Sequence, residues 1–253
     1  MRLLVDIGNT RVKVAVADRA GKIEPVAVAE GFDRELVADL LGRYAVGSAI
    51  LSSTRGATDK EERLLREAGL EVVRFDRSTP LPIAIDYRTP QTLGLDRVAA
   101  AVGAAVRYPG RNCLVVDLGT AMTLDLVSAD GVFRGGAISL GYSNRLRALN
   151  EYTATLPLCE PLLSGEEPFP LQGKSTQEAI EWGVFHSICF EIEGYQRRLE
   201  ADFADLCVIV TGGEAKYFEK QIKNAIFAEP NLVFCGLNRI LEHNLAKNAT
   251  TKK

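Results

Sequence analysis

The sequence of 253 residues contains few histidines, and this scarcity limits the kinds of site that it can form. His186 and His243 are the only two, and neither has a partner at the spacing of metal ligands. The sequence therefore argues against a histidine-based metal site and against a Ser-His-Asp triad. The five cysteines are widely scattered without a Cys-x-x-Cys pair. Since most fall in apolar stretches, we expect buried free thiols in a reducing compartment.

Long hydrophobic runs are also absent. The longest apolar segment, residues 98–106, is far shorter than a bilayer span. Asp6 and Asn9 interrupt the first apolar segment, so we predict no secretory signal. The formal net charge of −3 gives no indication of a nucleic-acid or membrane partner. A hydrophobic content of 47% supplies a sizeable core, and the sequence predicts a globular cytoplasmic protein.

The N-terminal stretch, residues 3–16 (LLVDIGNTRVKVAV), has the pattern of a strand, a tight turn and a returning strand. An aliphatic run precedes the turn, and valines at a two-residue period follow it. Gly8 and Asn9 both tolerate the positive φ angles of tight turns. The turn presents the Asp6 carboxylate, backbone amides and the Thr10 hydroxyl, which together suit a magnesium-bound polyphosphate. An ordinary polar hairpin is the alternative that this stretch alone leaves open.

The same unit occurs again at residues 113–127 (CLVVDLGTAMTLDLV), about half a chain later. The Asp-x-Gly turn at residues 6–8 corresponds to the turn at residues 117–119. Thr10 corresponds to Thr120 after the loss of one residue. Two copies of one strand–turn–strand unit predict a duplicated fold of two similar halves, with both turns lining a cleft between them.

Elsewhere the chain alternates strands with helices, which predicts an α/β layered fold. Ser175 can act as the N-cap of a long helix. Residues 207–211 form the last strong strand, which leads through Gly212-Gly213 into a predicted helix at residues 215–223. This arrangement commonly lets a nucleotide approach the backbone. A final helix is predicted to end near residue 246.

Two Asp-x-Gly turns followed by a strand–Thr-Gly-Gly–helix unit resemble the actin, Hsp70 and sugar-kinase ATPase superfamily. The chain is more closely similar to the type III pantothenate kinase family. This similarity rests on motifs that cover nearly the whole chain in family order: DIGNT (6–10), DYRTPQTLGLDR (86–97), DLGTAMT (117–123), GGAI (135–138), TATLP (153–157), the helix start at Ser175-Thr176 and TGGEA (211–215).

The resemblance implies a duplicated ribonuclease-H-like, or actin-like, α/β fold with two mixed-sheet halves around a central nucleotide cleft. We expect the halves to span residues 1–111 and 112–253. It also implies ATP-dependent phosphorylation of pantothenate to 4'-phosphopantothenate, the first step of coenzyme A biosynthesis. Mg²⁺, an activating potassium or ammonium ion and a homodimer come with that expectation.

Two other functions are compatible with the residues. One is a nucleotide-gated regulatory ATPase that hydrolyses ATP without a small acceptor. The other is a kinase of the same superfamily acting on another small molecule. The complete Gly-Leu-Asp-Arg motif at residues 94–97 favours the pantothenate kinase over the regulatory ATPase.

The family's nucleotide contacts map onto the first turn and its second phosphate motif. The first turn contributes six positions: Asp6, Gly8, Asn9, Thr10, Arg11 and Lys13. The second phosphate contact maps onto Thr120. The monovalent-cation ligand maps onto Asp117, although the chemistry of a carboxylate near phosphates by itself indicates a second magnesium ligand.

The family's substrate contacts map onto Tyr87, Gly94, Leu95, Asp96, Arg97 and Thr176, and its proposed catalytic base maps onto Asp96. The dipole of the predicted helix favours the ionised form of Asp96, which could accept a hydroxyl proton during phosphoryl transfer. The Arg97 guanidinium matches a carboxylate, and the Tyr87 ring suits a gem-dimethyl group. The alternatives are a simple cap for Asp96, a solvent-facing side chain for Arg97, loop packing for Tyr87 and a helix start for Thr176.

The chain departs from the family pattern in two places. After the GGAI motif the family commonly has Pro-Gly-Leu, where this chain has Ser139-Leu140-Gly141-Tyr142. Before Thr176 the family often has Asn, where Ser175 stands here. Both departures lie beside the expected substrate or dimer surface, and the helix that begins at Tyr142 is a candidate for the dimer interface.

Overall fold

The computed structural model describes residues 1–8, 10–163, 169–222, 225–227 and 231–251. In chain order these residues form β1 (Arg2–Ile7), β2 (Val12–Ala17), β3 (Ile23–Ala29), α1 (Arg34–Arg43), β4 (Ser48–Ser53), α2 (Asp59–Glu67), β5 (Glu71–Arg74), β6 (Ala84–Ile85), α3 (Leu95–Arg107), β7 (Cys113–Leu118), β8 (Ala121–Ser128), β9 (Val132–Leu140), α4 (Tyr142–Glu151), α5 (Thr176–Glu200), β10 (Cys207–Thr211), β11 (Ala225–Phe227) and α6 (Leu232–Thr251). Within these ranges, no helix combines the length and the apolar character that a membrane crossing requires.

The chain divides into two compact units. The first combines Met1–Pro109 with Asn231–Lys253, and the second is Gly110–Pro230. The first boundary lies close to the expected division after residue 111. The last helix, α6, belongs to the first unit, whereas the sequence-based division assigned it to the second half.

The first unit contains a five-stranded mixed sheet in the order β3-β2-β1-β4-β5. Strands β1, β2 and β3 form an antiparallel meander, while β4 pairs in parallel with both β1 and β5. The three consecutive aliphatic residues of β1, Leu3, Leu4 and Val5, are fully buried. Because successive side chains of a strand point to opposite faces, β1 is covered on both faces, as its run of aliphatic residues indicates. Leu3 and Val5 share a core cluster with residues of α1 and α2, and α3 and α6 pack against β4.

Helices α3 and α6 approach each other to backbone contact, which explains why α6 belongs to the first unit. A Cβ atom at Gly236 would overlap the carbonyl oxygen of Ala99, and one at Gly103 would overlap that of Leu232. Arg2 also donates a 3.0 Å hydrogen bond from Nη1 to Oδ1 of Asn238 in α6. Since these contacts join residues more than a hundred positions apart, no local pattern predicted them.

The second unit repeats the strand arrangement of the first. Strands β7, β8 and β9 form an antiparallel meander, and β10 pairs in parallel with both β7 and β11. The resulting order β9-β8-β7-β10-β11 matches β3-β2-β1-β4-β5 strand for strand. This confirms the predicted duplicated fold of two mixed sheets.

The duplication extends to individual turns and irregularities. Gly21, between β2 and β3, and Gly131, between β8 and β9, have φ angles of +84° and +75°. Each donates its N–H to a carbonyl three residues earlier, at 3.2 and 2.8 Å. The register shifts between Val14 and Ala15 in the first sheet and between Asp125 and Val127 in the second. The shared pattern of turns and bulges indicates two copies of one ancestral unit.

The predicted helix at residues 215–223 is wrong. The structure has a single 3₁₀ turn, Ala215–Tyr217, followed by further turns up to residue 222, and Lys223 lies outside the described residues. The N–H of Ala215 bonds to the carbonyl of Gly212 and that of Tyr217 to Glu214, which is the i→i−3 spacing of a 3₁₀ helix. The helices predicted to begin at Tyr142 and after Ser175 are α4 and α5, and the final helix, α6, continues to Thr251 rather than ending near residue 246.

The cysteines are free thiols, as predicted. Four are buried and Cys235 is half-buried. Burial raises the pKa of Cys113 and of Cys189 to about 12, so both thiols remain protonated and unreactive at neutral pH.

Candidate active site

Asp6 lies at the carboxyl end of β1, opposite Lys13 of β2 and Ser52 of β4 in the strand register. Its Oδ1 atom is buried and has no hydrogen-bond partner, and the same holds for the Oγ atom of Ser52. Burial raises the pKa of the Asp6 carboxyl to about 6, while the Lys13 ammonium lowers it and the Asp96 carboxylate raises it further. A buried oxygen without a partner is costly, and such an atom commonly marks a ligand site.

The turn that follows Asp6 is short and closed. The N–H of Gly8 donates to the carbonyl of Arg11 at 3.0 Å, and the carbonyl of Ile7 accepts from the N–H of Thr54 at 3.0 Å. Thr10, Arg11 and Lys13 are exposed. Asn9, the remaining predicted nucleotide contact, lies outside the described residues. The turn therefore presents a hydroxyl and two cationic side chains to solvent, a combination that suits a polyphosphate.

Helix α3 begins at the predicted Gly-Leu-Asp-Arg motif. Its N-cap residue is Gly94, which offers no side chain for capping. Asp96 is the second residue of the helix, and its Oδ1 accepts the N–H of Arg97 at 2.9 Å. A Cβ atom on Gly94 would approach this Oδ1 to 2.5 Å, so the glycine leaves room for the carboxylate to fold over the first turn. Asp96 therefore meets one helix N–H, as the capping alternative expected, through one of its two oxygens.

Arg97 and Tyr87, both predicted substrate contacts, lie against each other. The Arg97 side chain is only 7% exposed, which excludes the solvent-facing alternative. Its guanidinium carbon lies 6.0 Å from the centroid of the Tyr87 ring, at the outer limit of a cation–π contact. Thus the proline-rich loop that carries Tyr87 meets the first turn of α3.

A cavity of about 560 Å³ opens beside this motif in the first unit. Gly94 and Leu95 form part of its wall, and the other lining residues come from the ends of β4 and β5: Ser53, Thr54, Gly56, Thr58, Arg74, Phe75, Asp76, Arg77 and Ser78. Its volume falls in the range of small-molecule sites. Arg74 is paired with Asp59 at 2.7 Å, whereas Arg77 is exposed to solvent. Sequence reasoning identified Gly94 and Leu95 but not the opposite wall.

The second Asp-x-Gly turn is held by its neighbours through backbone carbonyls. The carbonyl of Leu118 accepts the N–H of Glu214 at 2.8 Å, and that of Thr120 accepts the N–H of Gly141 at 3.1 Å. Gly212, at φ +96°, stands so close that a Cβ atom would meet Oδ1 of Asp117 and the Leu118 carbonyl. The Thr-Gly-Gly motif and the second phosphate motif are therefore in direct backbone contact.

Helix α5 begins as predicted. Ser175 is its N-cap, and Ser175 Oγ accepts the N–H of Glu178 at 3.2 Å. Glu178 Oε2 in turn accepts the N–H of Lys174 at 2.7 Å. Thr176 occupies the first helical position and is exposed. The Ser175 departure from the family pattern thus preserves a competent helix cap.

A family model described as type III pantothenate kinase matches residues 2–198 of the chain. The chain belongs to the type III pantothenate kinase family. It is 37% identical over 244 residues to the type III pantothenate kinase of Phocaeicola vulgatus, covering 96% of this chain and 99% of that protein. It is 39% identical over 248 residues to that of Bacteroides fragilis, covering 96% and 98%.

A solved structure supports the fold at lower sequence identity. A Sinorhizobium meliloti protein described as a candidate 2-dehydro-3-deoxygalactonokinase is 16% identical, with a TM-score of 0.58, over 96% of this chain and 99% of that one. The two chains therefore share a fold, and membership of the pantothenate kinase family comes from the sequence matches.

The first unit of this type III pantothenate kinase brings several predicted residues together. Asp6, Lys13 and Asp96 are close enough to affect one another electrostatically, and Tyr87 and Arg97 adjoin the same helix start. Asp117 and Thr120 share the turn of the second unit. Sequence reasoning missed three positions with clear structural roles: Ser52, Arg77 and Glu214. Glu214 belongs to the TGGEA motif at residues 211–215, and its position in that motif could have identified it as a candidate site residue.

In the described ranges, no three His, Cys, Asp or Glu side chains converge on a metal site. The magnesium ion of a kinase is held mainly by phosphate oxygens and water with one or two carboxylates. The buried Oδ1 of Asp6, which lacks a hydrogen-bond partner, fits such a role.

Proposed function

We propose that the chain transfers the γ-phosphoryl group of ATP to the primary hydroxyl of pantothenate, giving 4'-phosphopantothenate for coenzyme A synthesis. The observation that carries the proposal is the proximity of two carboxylates in the first unit. Asp6 has a buried oxygen without a partner, and burial is the main cause of its raised pKa; the Asp96 carboxylate, at the start of α3, is near enough to raise that pKa further. Asp6 suits the metal ion bound to the nucleotide, and Asp96 suits the hydroxyl group of the acceptor.

We assign the nucleotide phosphates to the Asp6 turn. Gly8, which has no side chain, would let the phosphates approach the turn, and Asn9 keeps its expected nucleotide contact. The Thr10 hydroxyl would donate, and the exposed Arg11 and Lys13 would neutralise phosphate charge. Asp6 would hold the magnesium ion, which when bound neutralises charge on the β- and γ-phosphates. The support is the exposure of these side chains beside the Oδ1 of Asp6.

Asp96 acts as the base that orients the pantothenate hydroxyl and accepts its proton. Its Oδ1 already accepts the N–H of Arg97, so Oδ2 remains for the substrate. This carboxylate lies in the first turn of α3, at the positive end of the helix dipole. Phosphoryl transfer depends mostly on positioning and charge neutralisation, and a fixed carboxylate serves the first of these.

The body of pantothenate occupies the surface formed by Tyr87, the Gly94–Leu95 backbone and Arg97. The Arg97 guanidinium pairs with the substrate carboxylate, and the Tyr87 ring contacts the gem-dimethyl group. The contact between Arg97 and Tyr87 supports their assignment to one substrate. The adjoining cavity gives room for the acceptor beside Gly94.

In the second unit we assign a phosphate contact to Thr120, a monovalent cation to Asp117 and a substrate contact to Thr176. The potassium or ammonium assignment is supported by two oxygen atoms near Gly212 that could bind a cation, Asp117 Oδ1 and the Leu118 carbonyl oxygen. The proposal includes a homodimer formed through the surface of α4 and a cytoplasmic location, which the five free thiols favour.

A coupled ADP-release assay with and without pantothenate, in potassium and in sodium buffer, tests the function. We expect ADP release that depends on pantothenate and is faster in potassium. Equal release without pantothenate would support the regulatory ATPase instead. A panel of sugars and short-chain acids as acceptors tests the remaining alternative, another small-molecule kinase.

A further inference from the structure

We infer that Glu214 is a positioning residue that clamps the start of α4 and thereby holds the Gly119-Thr120 turn in place for the nucleotide. The inference rests on the proposed phosphate contact of Thr120. It assigns to the residue after Thr-Gly-Gly a role that is separate from binding the nucleotide directly.

Both carboxylate oxygens of Glu214 are occupied by the first turn of α4. Oε2 accepts the N–H of Tyr142 at 2.7 Å, and Oε1 accepts the N–H of Ser143 at 3.1 Å. Ser143 Oγ donates to the same Oε1. The first N–H groups of a helix have no partner within the helix, and the N-cap residue here, Gly141, has no side chain. Glu214 thus supplies from a distant loop the cap that α4 lacks.

The bonds that Glu214 makes are of a strong kind. Each joins a carboxylate to an N–H or O–H donor, and charge-assisted hydrogen bonds are stronger than neutral ones. The carboxylate also lies at the N-terminus of α4, where the helix dipole stabilises negative charge. Since Glu214 is half-buried, these interactions are only partly screened by solvent.

The clamped helix start is itself bonded to the second phosphate turn. The carbonyl of Thr120 accepts the N–H of Gly141 at 3.1 Å and Nδ2 of Asn144 at 2.9 Å. Gly141 packs so closely that a Cβ atom would overlap the carbonyl oxygen of Gly119. The backbone N–H of Glu214 also donates to Leu118 at 2.8 Å. Glu214 therefore fixes the turn twice, directly through its backbone and indirectly through α4.

Replacing Glu214 with Gln keeps the size of the side chain but removes its charge. An amide has one acceptor oxygen, and its NH₂ group cannot accept from Tyr142 or Ser143. At least one of the helix N–H groups then loses its partner. The start of α4 loosens, and the Thr120 carbonyl loses a fixed pair of donors. We expect the affinity for ATP to fall because Thr120 is no longer held in position.

The test compares Glu214→Gln with Glu219→Gln, an exposed position five residues further along the same unit. For Glu214→Gln we expect the KM for ATP, and its Kd without pantothenate, to rise about tenfold. The KM for pantothenate and kcat should change by less than about threefold. Glu219→Gln should match the wild type in all four quantities.

Hydrogen–deuterium exchange without nucleotide supplies a readout independent of activity. Compared with the wild type, the amides of residues 119–121 and 141–145 should exchange faster in Glu214→Gln and at the same rate in Glu219→Gln. Ser143→Ala, which removes one donor and keeps both N–H groups, should raise the Kd for ATP by about twofold. A lower melting temperature with unchanged exchange at these amides and unchanged Kd for ATP would overturn the inference, since it would leave Glu214 a purely stabilising role.

Two measurements, the Kd for ATP and the effect of Thr120→Ala, separate this inference from the proposed function. The Kd for ATP does not require pantothenate to be the acceptor, so a failure of the proposed function leaves the comparison of variants intact. Thr120→Ala should weaken ATP binding at least as much as Glu214→Gln. If Thr120→Ala binds ATP like the wild type, the clamped turn is not a nucleotide contact and the inference is wrong.

Discussion

The two Asp-x-Gly turns occupy equivalent places in two sets of five strands that share one order, but their surroundings differ. In the first, Asp6 Oδ1 is buried and unpartnered, and the exposed Arg11 and Lys13 follow the turn. In both turns the residue before the glycine accepts a backbone N–H, Ile7 from Thr54 and Leu118 from Glu214, but in the second the Thr120 carbonyl also accepts two bonds from the start of α4. The duplicated backbone is therefore similar, while the first turn is a charged site and the second has additional support from a helix.

This difference indicates how a duplicated fold acquires asymmetric function. The strand register places a carboxylate at the same point in both copies, since Asp6 pairs with Lys13 and Asp117 with Thr123. A cation opposite the first carboxylate and a hydroxyl opposite the second give the two turns different electrostatics. The first copy also has α3 beside it, which carries Asp96. We therefore expect substitutions in the first turn to affect chemistry more than matching substitutions in the second.

The largest effect should follow from Asp96→Asn, which can keep the hydrogen bond to the Arg97 N–H but removes the proposed base. We expect kcat to fall roughly 100- to 10,000-fold, the range of general acid–base catalysis, with a Kd for ATP within about twofold of wild type. Steady-state kinetics and calorimetry measure the two quantities. The exposed Asp202→Asn is the matched control. Turnover within a few-fold of wild type would reduce Asp96 to a helix-start residue.

A paired substitution sharpens the comparison of the two turns. Asp6→Asn should weaken the apparent binding of magnesium ATP by about 10- to 100-fold, because the carboxylate that we propose as the magnesium ligand is lost. Asp117→Asn should instead remove the acceleration by potassium and weaken magnesium ATP less. Titrations of magnesium and of potassium in each variant measure these effects. If the two variants had interchanged phenotypes, Asp117 would be the magnesium ligand, as its chemistry alone indicates.

A third prediction concerns the helix pair of the first unit. Gly236→Ala should lower the free energy of unfolding by roughly 3 kcal/mol, because its Cβ would overlap the Ala99 carbonyl and separate α3 from α6. Gly194→Ala in α5 is the control, since its Cβ would meet nothing within 4 Å. That variant should be neutral or up to about 1 kcal/mol more stable. Denaturant unfolding measures the stability of both variants. If Gly236→Ala were as stable as the wild type, α3 and α6 could separate without loss of stability.

The smallest effect concerns pH and the buried carboxyl of Asp6. Its pKa is about 6 when folded, above the usual 3.8, so the folded state retains a proton that the unfolded chain releases. The protein therefore loses stability as pH rises between about 4 and 6, and the full loss is present above 6.

Asp6→Asn removes this loss. Without ligands, the difference in the free energy of unfolding between Asp6→Asn and the wild type should shift in favour of the variant by on the order of 2 kcal/mol between pH 4.5 and pH 7.5. Urea unfolding at several pH values measures the difference. A difference independent of pH would mean that Asp6 titrates normally in the folded protein.

Much of the site was predictable because its signals are local. The Ser175 cap depends on a hydroxyl three residues before the N–H that it accepts, and this spacing is visible in the sequence. The repeated turns at Gly21 and Gly131 depend on single glycines at positive φ. The prediction of a helix after Gly213 failed because the position of Glu214 is set by α4, seventy residues earlier, rather than by its neighbours in the chain.

By itself, the sequence predicted the duplication, the two Asp-x-Gly turns, the family and most of the strands and helices, but not the short strands β6 and β11 or the 3₁₀ turn at Ala215–Tyr217. Hydrophobic periodicity and turn chemistry act over a few residues, so they can be read directly from the chain. Only the tertiary structure decided that α6 packs on α3, that Asp6 Oδ1 is buried beside Asp96, and that Glu214 caps α4. These features depend on desolvation and on contacts between distant residues, and no local pattern encodes either.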